Sequence, residues 1–392
     1  MPVLEDFIQF IESQCPPSMR TPMSSEQAIW GGRKEKIDNA EAKQWLDVMV
    51  EAGFTAPTWP KAYGGAELSP EEAKLLQKAL LKCGARPPLM SLGVHMMGPT
   101  IMEFGNEAQK LEHLPPIARG EIRWCQGYSE PGAGSDLASL SCKAEDMGDH
   151  YLVNGQKVWT SFADKSDYLF CLVRTDFAVA KHDGISVLLI DMDLPGVSTK
   201  PIELISGSSH FCEVFLDNVK VPKAQLLGEL NKGWSIAKRM LQHERNMMGS
   251  RDLGDRFTPD MAELVQTQLG GNFKTVAPVL RDKVVHNAMQ TMAVELTSNR
   301  VMQEIKAGQI PQASSCLKLA MSEAYMEKFE LYIEAFGFGG MAWPDDANQG
   351  LFSEHELQNA KEWAFSKIQS IGGGTSEIQL NIIAKRNLGL PE

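Results

Sequence analysis

The spacing of apolar residues changes twice along this chain, and that change limits the possible folds more than any other feature. Apolar residues recur at helical intervals over residues 38–52 and 71–83. Between about residues 124 and 221 they follow the pattern of strands, and the helical interval then returns from 233 to 387. Helices followed by strands and again by helices predict an α+β chain rather than a repeated βαβ unit.

The length predicts more than one domain, because 392 residues exceed the roughly 250–300 that one hydrophobic core usually serves. We expect an N-terminal α-helical domain at 1–122, a middle β domain at 123–230 and a C-terminal helical domain at 231–392. Within the middle domain, Asn154 and Gly155 separate two strand-like runs and predict a hairpin turn.

The composition argues against several classes of protein. A net charge of −12 disfavours binding to a nucleic-acid backbone, which needs clustered Lys and Arg. The seven cysteines are scattered without a C-x-x-C pair, which argues against a disulfide framework and a zinc site. No apolar run approaches the roughly 20 residues that span a bilayer, and Glu5 and Asp6 argue against a signal peptide. We therefore expect a cytoplasmic protein with no metal ion, no membrane span and no nucleic-acid partner.

The segment WCQGYSEPGAGSD, residues 124–136, is the first candidate for a binding site. Gly132 and Gly134 let the backbone approach a ligand closely, while Ser129 and Ser135 add hydroxyl groups. Exposed N–H groups in such a loop suit phosphate or the oxygen atoms of a flavin ring. The segment has neither a G-x-G-x-x-G after a strand nor the lysine of a P-loop, and the alternative interpretation is a plain surface turn.

Two shorter segments also have two interpretations each. In QKVWTS, Trp159 lies beside Thr160 and Ser161, which suits the covering of a flat ring; the alternative is a Trp in the core. Near the C-terminus, three glycines precede Thr375 and Ser376, where a helix is expected to begin. Backbone N–H groups at such a start suit an anionic or amide-rich ligand, and the alternative is an ordinary capped helix.

The helix predicted around Glu244 places a carboxylate among apolar side chains. At about 100° per residue, one arc of this helix carries Trp234, Ala237, Met240, Leu241, Met247 and Met248. Glu244 falls inside this arc, and Arg245 falls at its edge. A carboxylate in an apolar setting is expected to have a raised pKa, which suits a general base near neutral pH. The alternative is an ion pair of Glu244 with Arg245 or with another cation across a helix interface.

The order of these segments resembles that of a known family. WCQGYSEPGAGSDLASL, NGQKVWTS, DNVKVP, LQHER and GGGTSEIQLNIIAKRNLGLP follow one another as in the acyl-CoA dehydrogenase family. The match runs from about residue 52 to the C-terminus, and the ordered combination is far more specific than any single motif. The resemblance implies an N-terminal α domain, a middle β domain and a C-terminal four-helix bundle.

The resemblance also implies FAD as a non-covalent cofactor and a CoA thioester as substrate. A base takes the α-proton of the thioester while a hydride leaves the β-carbon for the flavin. By similarity, the flavin is lined by Gln126, Tyr128, Ser129, Gly134, Ser135, Trp159, Thr160 and Ser161. Thr375 and Glu377 would touch the phosphate and adenosine regions of FAD, and Ser135, Arg245 and Gly373 would lie near the substrate. In this family, the thioester carbonyl accepts hydrogen bonds from the FAD ribityl hydroxyl and from a backbone N–H beside the C-terminal base position.

The sequence departs from the family pattern at two places. Many members have a Glu as base at the position of Gly373, but others have a Glu directly before the arginine that corresponds to Arg245. The second arrangement predicts Glu244 as the catalytic base, the residue that the helical pattern also indicates. The Arg-x-x-Phe-Gly segment that reaches the FAD diphosphate of a neighbouring subunit has no clean match, and Glu334 stands where a Gln often contacts the adenine.

These departures leave three functions open. The first is an acyl-CoA dehydrogenase that passes electrons to an electron-transfer flavoprotein. The second is a non-catalytic FAD-holding subunit of a heterotetramer, in which a partner subunit completes the FAD site. The third is a flavin oxidase on the same scaffold. We expect a homo- or hetero-oligomer, a dimer or tetramer, and the sequence does not reveal whether the acyl group is straight, branched or bulky.

Overall fold

The computed structural model describes residues 3–21, 23, 27–249, 261, 264, 277–343 and 350–391, apart from the side chains of 245–249, 354 and 355. Contacts divide the chain into two compact units, Met1–Ile202 with Ser209–Phe257 and Glu203–Ser208 with Thr258–Glu392. The domain boundaries expected from the sequence stay a prediction, because the two units are divided by their contacts and not by a change from helices to strands.

Helices form the N-terminal region of the first unit: α1 (Leu4–Gln14), α2 (Ala40–Glu51), α3 (Pro70–Lys82), α4 (Gly98–Phe104) and α5 (Glu107–Ala118). The helices predicted over 38–52 and 71–83 are thus confirmed as α2 and α3. Ser69 begins α3 with a capping box, in which its hydroxyl accepts the N–H of Glu72 and its own N–H donates to the Glu72 carboxylate. Local sequence signals of this kind fix where a helix begins.

A mixed β-sheet follows these helices. Its strands are β1 (Trp124–Gly127), β2 (Lys143–Asp146), β3 (His150–Ser161), β4 (Tyr168–Arg174), β5 (Ile185–Asp191), β6 (Val197–Ile202), β7 (Phe211–Pro222) and β8 (Leu226–Leu227). The order across the sheet is β6-β7-β3-β2-β4-β5-β8, and β1 pairs with β4 in parallel. Because β1 pairs with β4, the loop that follows β1 begins at the sheet rather than at a distant surface.

The hairpin predicted at Asn154 and Gly155 is wrong, because both residues lie inside the single long strand β3. The register against β7 shifts between Val153 and Gly155, as in a β-bulge. A Cβ at Gly155 would lie 2.7 Å from the Cα of Cys142, so the backbone at Cys142 lies too close for any side chain at position 155. The glycine therefore serves strand packing, and the turn occurs earlier, where Met147 N–H donates to the His150 carbonyl.

The sheet separates two hydrophobic cores of the first unit. One core packs Trp124 and Phe170 of the sheet against the N-terminal helices and against α6 (Gly233–Gly249), through Ala237 and Met240. The other core contains buried residues such as Val153 on the opposite face of the same strands. Helix α6 is therefore anchored on the sheet by its apolar arc.

Helices also form the described part of the second unit: α7 (Pro278–Lys306), α8 (Ser314–Phe336), α9 (Glu354–Ser366) and α10 (Ser376–Ile382). Its core includes Leu280, Phe329 and Tyr332. The predicted α+β class, with helices before and after a β-sheet, is confirmed. Among the described residues, no helix has the length and apolar content to cross a membrane, and no group of three or more His, Cys, Asp or Glu side chains could hold a metal ion.

Candidate functional site

The glycine-rich loop that was expected to bind a ligand follows β1 directly. Glu130 and Ala133 each donate a backbone N–H to the other's carbonyl oxygen, at 3.0 Å in both directions. This tight turn leaves Gly132 and Gly134 exposed, and a Cβ at either glycine would have no neighbour within 4 Å. A ligand can therefore approach the backbone closely on this side of the loop.

A buried ion pair fastens this loop to β3. Nζ of Lys157 lies 2.7 Å from Oε1 of Glu130 and donates to the carbonyl oxygen of Tyr128 at 3.2 Å. The Glu130 carboxylate also accepts the N–H groups of Ser141 at 2.7 Å and Cys142 at 2.9 Å. Burial alone would raise the pKa of Glu130, but the Lys157 charge and these N–H groups outweigh burial, so the pKa is lowered. Glu130 is thus a fixed anion in the base of the loop.

Arg174 fastens the next part of the same loop by hydrogen bonds to carbonyl oxygens. Its guanidinium donates to Ala138 at 2.6 Å, to Leu140 at 3.1 and 3.2 Å, and to Lys181 at 2.6 Å. Burial lowers the pKa of Arg174, and the charge of Glu130 opposes this effect. The loop is therefore held at both ends by buried cations, while its glycines stay open.

A second bulge in β3 connects the loop to the QKVWTS segment. Lys157 faces Val214 and Thr160 faces Cys212 on β7, so two residues of β3 stand opposite one residue of β7. Within the bulge, the N–H of Val158 donates to the carbonyl oxygen of Ser129 at 2.9 Å. The two segments that were expected to meet the flavin are therefore adjacent.

The bulge orients neighbouring side chains in opposite directions. Trp159 has a left-handed backbone, with φ of 61°, and its side chain is 55% exposed beside Phe211. Thr160 is fully buried, and its Oγ1 has no hydrogen-bond partner among the described residues. A buried hydroxyl without a partner is costly, so it points to a group that the protein binds. Ser161 ends the strand and is half-buried.

Buried Tyr128, directly after β1, contacts the helix that carries Glu244. The Tyr128 hydroxyl donates to the carbonyl oxygen of Ala237 on α6 at 3.4 Å. Burial raises the pKa of Tyr128 well above its ordinary value, and the Glu244 charge raises it further, while a hydrogen bond with Gln126 opposes both. Gln126 and Tyr128 therefore form one cluster at the start of the glycine-rich loop, and the Glu244 charge acts on it.

The amphipathic pattern of α6 agrees with the described part of the helix. Ala237 and Met240 are fully buried, Trp234 and Leu241 pack against the core, and Glu244 is half-buried. The side chains of Arg245, Met247 and Met248 lie outside the described residues. The structure therefore places Glu244 in the expected arc and gives no position for the Arg245 guanidinium.

Three of the proposed site residues belong to the second unit. Thr375 caps α10, since its hydroxyl accepts the N–H of Ile378 at 3.2 Å. Glu377 is exposed in the first turn of α10, where its own backbone N–H and the Thr375 hydroxyl lower its pKa. Gly373 has a left-handed backbone with φ of 69°. Thr375, Glu377 and Gly373 thus form one local group, separate in sequence from the cluster of Gln126.

The second departure from the family pattern concerns two contacts to FAD, at Glu334 and at the Arg-x-x-Phe-Gly segment. The Glu334 carboxylate lies 2.7 Å from Nζ of Lys283, so an ion pair occupies it in the second unit. The stretch QTQLGGNFKTVAPVLRD, which stands where the Arg-x-x-Phe-Gly segment was sought, lies mostly outside the described residues. The contact that the Arg-x-x-Phe-Gly segment makes with the FAD diphosphate in other members therefore has no assigned residue in this chain.

Sequence reasoning missed the buried cations around the glycine loop, although one signal was present. Tyr151, Val153 and Lys157 share the inward face of β3 by the alternation of a strand. A lysine on an inward face requires a buried partner, and Glu130 was the acid inside the neighbouring motif. Arg174 ends an apolar strand in the same way. The sequence therefore marked these cations as buried, and only their partners had to come from the fold.

The first unit fits a flavin by two observations. The open backbone at Gly132 and Gly134 admits a flat or anionic group. The partnerless hydroxyl of Thr160 lies next to the exposed indole of Trp159. The hydroxyl suits the polar edge of a flavin ring, and the indole suits its flat face. The residues expected at a flavin ring therefore have the chemistry that such a ring requires.

The three regions of the chain match the three domain models of one family. The acyl-CoA dehydrogenase N-terminal domain matches residues 24–121, the middle domain 125–219 and the C-terminal domain 231–388. Together they define a flavin-dependent oxidoreductase. The chain belongs to the acyl-CoA dehydrogenase family.

Similar proteins agree with this assignment. Acyl-CoA dehydrogenase IpdE1 of Mycobacterium tuberculosis (strain ATCC 25618 / H37Rv) is 31% identical over 99% of this chain and 98% of its own length. The solved steroid ACAD Tcur3481–Tcur3483 is 26% identical, covers 99% of this chain and 97% of its own, and has a TM-score of 0.78. The ChsE4–ChsE5 complex from Mycobacterium tuberculosis is 27% identical with the same two coverages and a TM-score of 0.73.

Proposed function

We propose that this protein dehydrogenates an acyl-CoA thioester to the trans-2-enoyl-CoA with FAD, and that the electrons pass to an electron-transfer flavoprotein. Glu244 is the base that takes the α-proton. The observation that carries the proposal is the hydrogen bond that joins buried Tyr128, at the start of the glycine-rich loop, to Ala237 of α6, two turns before Glu244. A carboxylate next to the segment that meets the flavin is placed for proton abstraction at a substrate on that flavin.

The alternative position for the base has no acid. Gly373 stands where many family members have a Glu, and it has no side chain. Helix α6 rests on the sheet through Ala237 and Met240, both fully buried, so Glu244 extends from a rigid element. These two observations support Glu244 over any residue of the C-terminal loop.

FAD, when bound, accepts the hydride that leaves the β-carbon of the thioester. We propose that Gln126, Tyr128, Ser129, Gly134 and Ser135 line its ring from the loop, and that Trp159, Thr160 and Ser161 line it from β3. Bound FAD would give the buried Thr160 hydroxyl a hydrogen-bond partner, which removes the cost of leaving that group unsatisfied. Thr375 and Glu377 would contact the phosphate and adenosine parts.

The substrate is held near the same groups in this proposal. Ser135 and Arg245 lie near the CoA thioester, and the backbone N–H of Gly373 donates to the thioester carbonyl, where negative charge develops as the α-proton leaves. A bulky, polycyclic acyl group is the substrate class that we favour. Its support is the steroid ACAD among the similar solved structures and the placement of the base on a helix, which leaves the C-terminal loop free of a carboxylate.

The test is anaerobic reduction of the bound flavin by a panel of octanoyl-CoA, isovaleryl-CoA and a steroid-side-chain CoA thioester. Glu244→Gln should slow the reduction by about 10²- to 10⁴-fold, because a general base contributes this much. Glu103→Gln is the matched control. Glu103 of α4 forms a surface ion pair, at 2.6 Å, with Arg239 of α6, the helix that carries Glu244. Full activity of Glu244→Gln with FAD retained would remove Glu244 as the base, and rapid air oxidation with peroxide formed would identify an oxidase instead.

A second candidate function is a non-catalytic FAD-holding subunit of a heterotetramer. Two observations favour it: Gly373 lacks a carboxylate, and two of the similar solved structures are named as pairs of chains. Under this alternative, the purified chain would show no flavin reduction with any panel member, and a sister chain would purify with it. Flavin reduction by the chain alone would decide against it, and the native mass would separate a homo-oligomer from a hetero-oligomer.

A further inference from the structure

The C-terminal glycine loop has little conformational preference of its own. Gly372, Gly373 and Gly374 follow one another between a 3₁₀ turn at Lys367–Ser370 and helix α10. Gly373 and Gly374 have left-handed backbones, with φ of 69° and 97°. Glycines in succession allow many backbone conformations, so contacts from elsewhere must select the one that the loop adopts.

Lys318 of helix α8 supplies such contacts. Its Nζ donates to the carbonyl oxygen of Gln369 at 2.8 Å and to that of Gly374 at 2.7 Å. These carbonyls lie at the two ends of the loop, so one ammonium group connects both ends. Lys318 is half-buried; burial lowers its pKa, and Glu377 opposes this effect. A charge kept in this position costs desolvation, which the two carbonyl oxygens offset.

The remaining contacts of the loop also engage carbonyl oxygens rather than the N–H of Gly373. Nε2 of Gln379 donates to the Gly373 carbonyl at 3.2 Å. Gly373 is exposed, and among the described residues its N–H donates to no acceptor. The carbonyls of Gly373 and Gly374 thus accept hydrogen bonds from side chains, and the Gly373 N–H is available to a ligand.

We infer that Lys318 is a positioning residue for the reaction: it holds the glycine loop so that the Gly373 N–H meets the thioester carbonyl as negative charge develops there. This inference rests on the proposed function. It assigns no contact between Lys318 and the substrate. Its effect acts through the geometry of the loop, and a displacement of about 1 Å at such a donor is enough to lower a rate by on the order of 10²-fold.

The test compares Lys318→Met, Lys318→Arg and the control Lys367→Met as purified holoproteins. Lys367 is also a half-buried lysine beside this loop, but its Nζ pairs with Glu330 at 2.7 Å and lies over the Trp363 ring. The probe is the panel thioester that reduces the wild-type flavin fastest. The measurements are the limiting rate of flavin reduction, the thioester Kd, the FAD content and the carbonyl stretch of the bound ¹³C-labelled thioester.

We expect Lys318→Met to retain FAD and the thioester Kd, to lose on the order of 10² in the reduction rate, and to shift the carbonyl stretch toward its value in water. Lys318→Arg keeps a cation with several donors, so its flavin should be reduced at least about ten-fold faster than that of Lys318→Met. Lys367→Met should stay within about two-fold of wild type. If Lys318→Met does not fold, Lys318→Gln, which keeps a neutral amide donor group, takes its place, and we then expect the same changes at a smaller size.

Two outcomes overturn the inference. Wild-type rate and carbonyl stretch in Lys318→Met would show that the loop needs no such contact, and an equal loss in Lys367→Met would show that any lysine beside the loop matters only for folding. The proposed function fails by a different result, since the wild-type flavin would then be reduced by no panel thioester.

Discussion

Nζ of Lys157 lies 2.7 Å from Oε1 of Glu130, and neither side chain is more than 5% exposed. Both charges lie under the glycine-rich loop, and the protein supplies further hydrogen bonds to each of them. A pair at this depth stabilises the fold only while both members are present, because a single charge would stay buried without a counter-ion.

Removal of one member of this pair should therefore destabilise the protein strongly. We expect Lys157→Met to lower the free energy of unfolding by about 3–5 kcal/mol. The double variant Lys157→Met/Glu130→Gln should recover much of this loss, since no unpaired charge is left. Urea denaturation of the apoproteins measures both. A loss below about 1 kcal/mol in the single variant would mean that water reaches the Glu130 carboxylate.

The same carboxylate should make stability depend on pH on the acid side. The folded-state pKa of Glu130 is lowered, so the unfolded chain takes up this proton first as the pH falls. The stabilisation is complete above the unfolded pKa of about 4.3 and is lost as the pH falls through the lower folded-state pKa. The free energy of unfolding should therefore change less between pH 7 and pH 3 in Lys157→Met/Glu130→Gln than in wild type. Equal slopes would contradict this assignment.

The partnerless hydroxyl of Thr160 predicts opposite effects with and without FAD. Thr160→Val removes a buried unsatisfied group, so we expect the apoprotein to gain about 1 kcal/mol while FAD affinity falls about ten-fold. Thr55→Val is the matched control, because the Thr55 hydroxyl is also buried but donates to the Ala118 carbonyl at 2.6 Å. That control should destabilise the apoprotein and leave FAD binding unchanged. An unaltered FAD affinity in Thr160→Val would place the flavin elsewhere.

Moving the base should restore part of the activity that Glu244→Gln loses. At Gly373 the nearest atom to an added Cβ is Cε of Lys318 at 3.9 Å, so a side chain fits. The left-handed backbone at Gly373 makes any other residue cost about 1–2 kcal/mol, which a folded domain tolerates. We expect Glu244→Gln/Gly373→Glu to reduce its flavin at least about ten-fold faster than Glu244→Gln alone. Gly373→Gln in the same background is the control, and equal rates for the two double variants would rule out a base at this position.

Features set by local sequence could be predicted well. The helical spacing over residues 71–83 coincides with α3, and strands such as β4 lie within the stretch of strand-like spacing between about 124 and 221. The helical arc that contains Glu244 also holds in the structure, because Ala237 and Met240 are buried against the sheet. In each case the deciding residues lie within one or two helical turns or one strand.

Features set by distant parts of the chain could not be predicted. Asn154 and Gly155 have the composition of a turn, but the approach of Cys142 makes them a bulge in a continuous strand. Lys318 meets the Gly374 carbonyl across 56 positions of sequence, and nothing near either residue indicates the other. Such partners are fixed by packing, which a single sequence does not encode in any local pattern.

The bulge at residues 158 and 159 shifts which residues of β3 face inward. Before it, odd-numbered residues such as Lys157 face inward; after it, the inward residue is the even-numbered Thr160. Deletion of Val158 would restore regular alternation with Lys157 and Thr160 still inward, and it would remove both the left-handed backbone that directs the Trp159 indole and the N–H that is donated to Ser129. A chimera with another family member should therefore be joined at the exposed turn around Gly148, where length can vary, and never between Lys157 and Ser161.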